Sequence, residues 1–264
     1  MAETALNTFA AELKAWRERM GLTQQAFADK IGYSLALVAS VEQSKRSPTP
    51  DFAKRCDEIT SAPGTFKRWQ VQVSRESYPA FFAPVLAFER DAVRIHGWEL
   101  GAIPGLLQCE GYARALLRSV RQGSEDELER HVQARLERKT ILFADKPVTL
   151  WYVLDEGTLR RAVGGPAVMR DQLDSLIEYA VNIVLQVLPF TSGDQPGADG
   201  PIRIYEFADA PAVCYTECYS GGRIVEGHPE VADLMRIVNL LRASALPPDE
   251  SLELIRQIRS ELDD

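Results

Sequence analysis

Hydrophobic residues recur at helical spacing near the start of the chain. Phe9, Leu13, Trp16 and Met20 fall about one turn apart and predict an amphipathic helix. The apolar positions of residues 22–46 then predict two short helices separated by a glycine turn. The first, longer helix gives this pair a surface to pack on.

Capping residues mark where the two short helices begin and end. Thr23 and Ser34 are suited to accept hydrogen bonds from the backbone at the start of each helix. Gly32 lies between the helices and tolerates the positive φ that ends one. The inward positions are Phe27, Ile31, Val38 and Val41. This pattern predicts a helix-turn-helix, whose second helix enters the DNA major groove while the first crosses the backbone.

This segment resembles the helix-turn-helix of the xenobiotic-response-element (XRE) regulators, a broad group that includes phage repressors and Cro. The resemblance implies that Arg17 pairs with Glu42 and so ties the first helix to the end of the recognition helix. A guanidinium and a carboxylate can form two parallel hydrogen bonds. The alternative is that both are solvated surface charges. The matching positions are Arg17, Gly21, Leu22, Thr23, Gln24, Ala28, Ile31, Gly32, Ser34, Val38 and Glu42.

The same resemblance implies which residues face DNA. Gln24 matches a position that holds a phosphate, while Leu35, Ala36 and Ser40 match positions that meet base edges. Apolar side chains can touch a thymine methyl but cannot make bidentate hydrogen bonds to bases. Specificity then comes from DNA shape and thymine contacts, or the helix has drifted toward protein binding. The predicted DNA-binding set is Thr23, Gln24, Gln25, Ser34, Leu35, Ala36, Leu37, Ser40, Lys45 and Arg46. The two basic residues in it are candidate phosphate contacts, with plain surface charge as the alternative.

From residue 147 the apolar pattern changes to the one typical of strands. Runs rich in β-branched and aromatic residues predict strands at VTLWYVLDEGTL, IVLQVLPF, PIRIYEF, AVCYTECY and RIVEG. A helix is predicted between the first two, and two more helices close the chain. One β-α-β unit followed by neighbouring strands predicts an α+β domain with a mixed, largely antiparallel sheet flanked by helices.

The chain changes character at ESYPAFFAPVLAFER, which is rich in aromatic residues and proline and is typical of a domain junction. The predicted domains are an all-α, Cro/repressor-like helix-turn-helix bundle over 1–76 and the α+β effector, sensor and interaction domain over 77–264. Residues 1–78 hold 11 basic and 9 acidic side chains, and the remainder holds 19 and 29. The acidic remainder should repel DNA and favours a protein or small-molecule partner.

The second half carries its own resemblance. IPGLLQCEGYARALL, LWYVLDEGTLRRAVGGPAVMRDQL, VLPF with GPIRIYEF, and YTECYSGG resemble the effector domain of WhiJ-type actinobacterial regulators. Cys109 stands where threonine is usual, and Cys218 where histidine is common. The resemblance implies an antitoxin-like transcription factor tied to bacterial development, often encoded beside a very small partner protein.

Aromatic and charged residues of the second domain suggest an effector pocket. Phe81, Phe82, Phe88 and Trp98 supply core packing where this domain begins, and a pocket wall is their alternative role. Asp155 and Arg160 are interpreted as a structural ion pair or as part of the pocket. The predicted pocket set is Trp98, Gln108, Tyr112, Trp151, Asp155, Arg160 and Glu217.

Catalytic and metal-binding motifs are missing from the sequence. It has no serine elbow, P-loop or Gly-x-Gly-x-x-Gly fingerprint, and its three histidines have no ligand spacing to the four cysteines. We therefore expect no enzyme activity, metal or cofactor, and buried free thiols. No apolar run reaches membrane-spanning length, so no membrane association and a reducing cytoplasmic location are expected.

Together these observations predict a sequence-specific DNA-binding transcriptional regulator. A homodimer would place two recognition helices in successive major grooves, about 34–36 Å apart. The second domain would modulate binding through a small ligand or a small partner protein. The alternative is an antitoxin-like adaptor that binds proteins and has little specific affinity for DNA.

Overall fold

The computed structural model describes residues 4–62, 64–79, 81–120, 124–193, 195–218 and 220–263. The chain forms two compact units. The N unit contains the described residues up to 83 together with those from 124 to 137. The C unit contains residues 84–120 and the described residues from 138 onward.

Helices make up most of the N unit and flank the sheet of the C unit. In chain order they are α1 Ala5–Arg19, α2 Gln24–Ile31, α3 Leu35–Glu42, α4 Pro50–Thr60, α5 Thr65–Glu76, α6 Ala83–Asp91, α7 Glu110–Val120, α8 Glu125–Glu137, α9 Glu156–Arg160, α10 Pro166–Tyr179, α11 His228–Ser244 and α12 Pro248–Ser260. Short 3₁₀ turns cover Gly105–Leu107 and Arg138–Leu142.

The N unit has the predicted helix-turn-helix at its centre. The Thr23 hydroxyl accepts from the Ala26 N–H at 3.2 Å, and Gly32 ends α2 with a φ of +71°. Ser34 caps α3 in the same way as Thr23 caps α2. The helices enclose a core of fully buried side chains, which includes Phe9, Leu13, Phe27, Val38, Val41, Phe52 and Phe66.

Helix α8 packs in the N unit although the chain on either side of it belongs to the C unit. It begins with a capping box, in which the Ser124 N–H donates to Glu127 Oε2 at 2.9 Å and the Glu127 N–H donates to Ser124 Oγ at 3.2 Å. Leu128 and Val132 are buried. The predicted boundary between residues 76 and 77 stays a prediction, and it does not describe this return of the chain.

The C unit is built on one six-stranded sheet. Its strands are β1 Arg94–Glu99, β2 Thr149–Asp155, β3 Val184–Leu188, β4 Ile202–Glu206, β5 Val213–Cys218 and β6 Gly221–Val225, in the order β3-β2-β1-β4-β5-β6. Strands β1, β2 and β3 pair in parallel, and the other three neighbouring pairs are antiparallel. The predicted α+β class with a mixed sheet is confirmed.

Strand β1 was not predicted, because its residues are buried on both faces and show no alternation. Gly97 in its middle also weakens the strand pattern. The structure shows why position 97 holds a glycine. A Cβ at position 97 would overlap the ring of Tyr152, its partner on β2, so the ring can lie across the strand only where no side chain stands.

Helix α11 covers one face of the sheet. Val238 and Leu241 from the helix pack with Trp98, Val153 and Ile204 from three strands. The helix crosses both the parallel and the antiparallel part of the sheet, because it contacts β1, β2, β3, β4 and β5.

The two glycines before and after α2 allow a comparison that tests the role of Arg55 in the turn after this helix. Gly21 and Gly32 both have positive φ, but only at Gly32 would a Cβ meet another residue, the Arg55 Nη1 at 2.8 Å. That nitrogen donates to the Ile31 carbonyl at 3.0 Å. We expect Gly21→Ala to cost about 1–2 kcal/mol of unfolding free energy and Gly32→Ala about 1 kcal/mol more. Urea titration measures both, and equal losses would contradict a role for Arg55 in the turn.

Candidate nucleic-acid interface

Helix α3 presents its first turn to solvent and its opposite side to the core. Ser34, Leu35 and Ala36 are exposed, with 42% of Leu35 accessible, whereas Val38 and Val41 are fully buried. Leu37 and Ser40 are half-buried between these faces. The face that a recognition helix would turn to a DNA groove is therefore open.

A buried ion pair fixes the end of α3. Arg17 Nε donates to Glu42 Oε1 at 2.6 Å and Arg17 Nη2 donates to Glu42 Oε2 at 3.0 Å, the two-pronged pairing that the resemblance implied. Only 10% of the Arg17 side chain and 3% of the Glu42 side chain are exposed. The hydrogen bonds to Glu42 raise the pKa of Arg17, and desolvation opposes them. The solvated-charge alternative does not describe this pair.

Gln24 joins the pair. Its amide nitrogen donates to Glu42 Oε2 at 2.7 Å, and a third nitrogen of Arg17 donates to the Leu22 carbonyl at 2.9 Å. The carboxylate of Glu42 thus ties α1, α2 and α3 together. The Gln24 side chain, predicted to hold a phosphate, is oriented by this inner contact.

The other predicted interface residues form local contacts. The Gln25 amide nitrogen donates to Asp29 Oδ1 at 2.7 Å, and the Ser40 hydroxyl donates to the Ala36 carbonyl at 2.7 Å. Lys45 and Arg46 are both exposed directly after α3. The face of α3 thus offers mainly apolar surface, with two basic side chains beyond its end.

Three residues predicted to line an effector pocket lie in the core of the C unit. Trp98, Gln108 and Tyr112 are at most 1% exposed. The Trp98 indole donates to the Gly197 carbonyl at 2.7 Å, and the Gln108 amide donates to the Ile103 carbonyl at 2.7 Å. The Tyr112 hydroxyl accepts from the Ile103 N–H at 3.1 Å. The polar atoms of these side chains bond to backbone groups of loops. All three residues therefore belong to the core of the C unit.

Trp151 and Glu217 are engaged elsewhere on the sheet. The Arg242 guanidinium lies 4.0 Å from the centre of the Trp151 ring, whose N–H donates to Gln186 Oε1 at 2.8 Å. Arg203 Nη1 lies 3.6 Å from Glu217 Oε2. These two residues are therefore not grouped with Trp98 and Tyr112 around one cavity.

The predicted pairing of Asp155 with Arg160 needs correction. Asp155 ends β2 and caps α9 by accepting from the Gly157 N–H at 2.8 Å. Arg160 instead donates to Glu156 at 2.6 Å and to Glu261 at 2.7 Å. The strand predicted to continue past Asp155 turns into a helix there, which carries Arg160 away from Asp155.

The cysteines also differ from expectation. All four are free, but only Cys56 and Cys214 are buried, and burial raises the pKa of both thiols. Cys218 is exposed. Within the part of the chain that the structure describes, no group of three or more His, Cys, Asp or Glu side chains could hold a metal ion. No helix in that part has the length and apolar character needed to span a membrane.

Removing one member of the buried pair should cost more than removing both. We expect Arg17→Met to lower the free energy of unfolding by about 3–5 kcal/mol, because it leaves the Glu42 charge buried without its main partner. Arg17→Met combined with Glu42→Met should recover part of that loss. Urea titration of the single and double variants completes the cycle, with exposed Lys54→Met as a control for the loss of one charge. Additive single losses would show that the two residues do not interact.

Comparisons with known proteins place both parts of the chain. A family model for a helix-turn-helix domain matches residues 8–67, which supports the XRE-like helix-turn-helix and indicates a DNA-binding regulator. A second model, described as a domain of unknown function (DUF5753), matches residues 82–257, two thirds of the chain. The WhiJ-type likeness of this second part stays a prediction. The comparisons with curated proteins and with solved structures found no match. The chain therefore belongs to the DUF5753 family and carries a helix-turn-helix domain ahead of the family's own domain.

Proposed function

We propose that this protein is a sequence-specific DNA-binding transcriptional regulator that acts as a homodimer in the cytoplasm and is modulated through its C unit. The observation that carries the proposal is the open first turn of α3, held by the buried contacts of Arg17 and Gln24 to Glu42. A rigid recognition helix with an exposed face is what major-groove binding requires.

In this proposal each part of the helix-turn-helix has its own role. Helix α3 lies in the major groove with Leu35 and Ala36 against thymine methyl groups, and α2 crosses the backbone. Lys45 and Arg46 neutralise phosphates, which fixes the register without selecting sequence. Because α3 offers few hydrogen-bonding groups to bases, specificity rests on apolar contacts and on DNA shape.

Helix α8 supplies a path for modulation. It packs in the N unit, while the residues before and after it belong to the C unit. Ser44 and Ser47 from the segment after α3 line a cavity of about 370 Å³ together with Arg130 and His131 of α8. A small ligand or small partner protein on the C unit would displace α8 through the chain. A coupling of roughly 1–3 kcal/mol suffices for regulation.

One observation favours the alternative of an antitoxin-like adaptor with little specific DNA binding. Leu35 in the first turn of α3 is 42% exposed, so the recognition surface carries a large apolar side chain. Such side chains are also suited to protein contacts. DNA titration distinguishes the two functions.

The first test is fluorescence anisotropy with the upstream intergenic DNA of the protein's own gene and a scrambled duplex, at two salt concentrations. We expect a preference of about a thousandfold and weaker binding at high salt. Replacing both Lys45 and Arg46 with alanine should lower the slope of log K against log salt by about 4, because each of the two protomers loses two phosphate contacts. The matched control removes two exposed basic residues of the C unit, with Lys146→Ala and Arg256→Ala, and should leave the slope unchanged. A salt-insensitive complex with the small protein encoded nearby, and none with DNA, would favour the adaptor.

Glu137 at the end of α8 gives a pH test of this helix. Burial raises the pKa of this half-buried carboxyl group to about 7, and the positive charge of Arg46 opposes the rise. A carboxyl group with a higher pKa in the folded state than in the unfolded state binds more protons when folded. Stability is therefore lost as the pH rises from about 4.5 toward 7 and above.

We expect Glu137→Gln to be about 1–3 kcal/mol more stable than the parent protein at pH 8 and nearly equal to it at pH 4.5. Urea titration across this pH range measures the difference. Glu125→Gln changes an exposed residue of the same helix and is the matched control for the loss of one carboxylate. A Glu137→Gln effect that does not vary with pH would contradict the assignment.

A further inference from the structure

A cavity of about 490 Å³ opens at the end of the antiparallel half of the sheet. It lies between the start of β4, the ends of β5 and β6 that meet there, residues 196–201, and α11. Ile202 on the sheet and Leu234 and Ile237 on α11 form an apolar floor, with Thr216 beside it. Its volume is that of a site for a small organic molecule.

One wall of this cavity is held in place by the core. The Trp98 indole donates to the Gly197 carbonyl at 2.7 Å, and a Cβ at Gly197 would overlap the indole. Gly200, Gly221 and Gly222 also line the cavity. A Cβ at Gly222 would overlap the Tyr215 side chain, so this glycine lets the tyrosine pack against the cavity wall from the other face of the sheet. The bond to Trp98 fixes the opposite wall before any ligand arrives.

The charges around the cavity are satisfied elsewhere or solvated. Arg223 pairs with Glu230 at 3.0 Å. Glu217 alternates with Thr216 along β5 and lies 3.6 Å from Arg203, so its carboxylate points to the other face of the sheet. Asp199 is exposed at the rim. A charged ligand would lose its hydration without gaining a partner of opposite charge on the floor.

We propose that this cavity binds an uncharged, largely apolar small molecule whose hydrogen-bond acceptor meets the Thr216 hydroxyl. The proposal rests on the proposed function only in making this molecule the effector of the C unit. Binding is measured without DNA, so failure of the site and failure of DNA recognition give separate results.

The experiment titrates the full chain with Prodan, an uncharged naphthalene that carries a carbonyl acceptor and shifts its emission to the blue in apolar surroundings. We expect one saturable site, and binding of the anionic 1-anilinonaphthalene-8-sulfonate at least tenfold weaker. Ile237→Trp fills the cavity and should weaken Prodan binding at least tenfold. Leu240→Trp, an exposed position on the same helix outside the cavity lining, should change it less than twofold. Thr216→Val should weaken it about threefold to tenfold.

Cys218 provides a readout that does not depend on the dye's fluorescence. Its thiol lies at the cavity and is the exposed one of the four cysteines. The Ser220 hydroxyl, 3.2 Å from the sulfur, lowers the pKa of this thiol, which favours alkylation near neutral pH. Saturating Prodan should slow iodoacetamide labelling of the Cys218 peptide at least fivefold, as measured by mass spectrometry, in the parent protein and not in Ile237→Trp.

Three results would overturn the proposal. The first is the absence of saturable Prodan binding by the folded parent protein. The second is binding that Ile237→Trp and Leu240→Trp affect equally, or that leaves Cys218 labelling unchanged, because the dye would then sit elsewhere. The third is tighter binding of the anionic dye that Ile237→Trp abolishes, because the site would then select negative charge.

Discussion

The orientation of the recognition helix depends on one buried carboxylate. Helix α3 has eight residues and buries only Val38 and Val41, and an isolated helix of this length is marginal in water. Burial of the two valines contributes on the order of 3–6 kcal/mol to the free energy of folding, but it does not fix the direction of the α3 axis. The hydrogen bonds that Glu42 accepts from Arg17 and Gln24 do fix it, because each donor comes from a different helix. A buried ion pair is stable only when its hydrogen bonds keep short distances and good alignment. The pair between Arg17 and Glu42 therefore favours one angle between α1 and α3.

The elements that could be predicted from sequence are those whose signals are local. Thr23 and Ser34 cap α2 and α3, and Ser124 with Glu127 caps α8, because each bond joins residues three apart. Strand β1 has no such signal. Its conformation depends on β2, more than fifty residues later in the chain, and Gly97 makes sense only once Tyr152 lies across it.

The aromatic residues show a second limit. A core and an apolar pocket use the same residue types, so composition could not tell whether Trp98 and Tyr112 line a cavity or fill the interior. The structure buries both, and their polar tips bond to backbone groups. Trp98 still bears on ligand binding, since its indole holds the carbonyl of Gly197 in the cavity wall. Trp98 does not line the cavity itself but supports a residue that does. No sequence pattern predicts this indirect position.

The return of α8 to the N unit changes how the two parts of the chain can influence each other. A helix-turn-helix bundle that ended near residue 83 would lack the buried Leu128 and Val132, and the ring nitrogen of His131 that lies 2.7 Å from the Ser77 carbonyl oxygen. The segment that completes this bundle is preceded and followed along the chain by residues of the C unit. Under the proposed function, a ligand of the C unit would act on α8 through the residues that join this helix to that unit. Because α8 and the residues after α3 line one cavity, a shift of this helix changes the surroundings of the segment that carries Lys45 and Arg46. The proposed regulation would then use the covalent continuity of the chain, which leaves the N unit and returns to it.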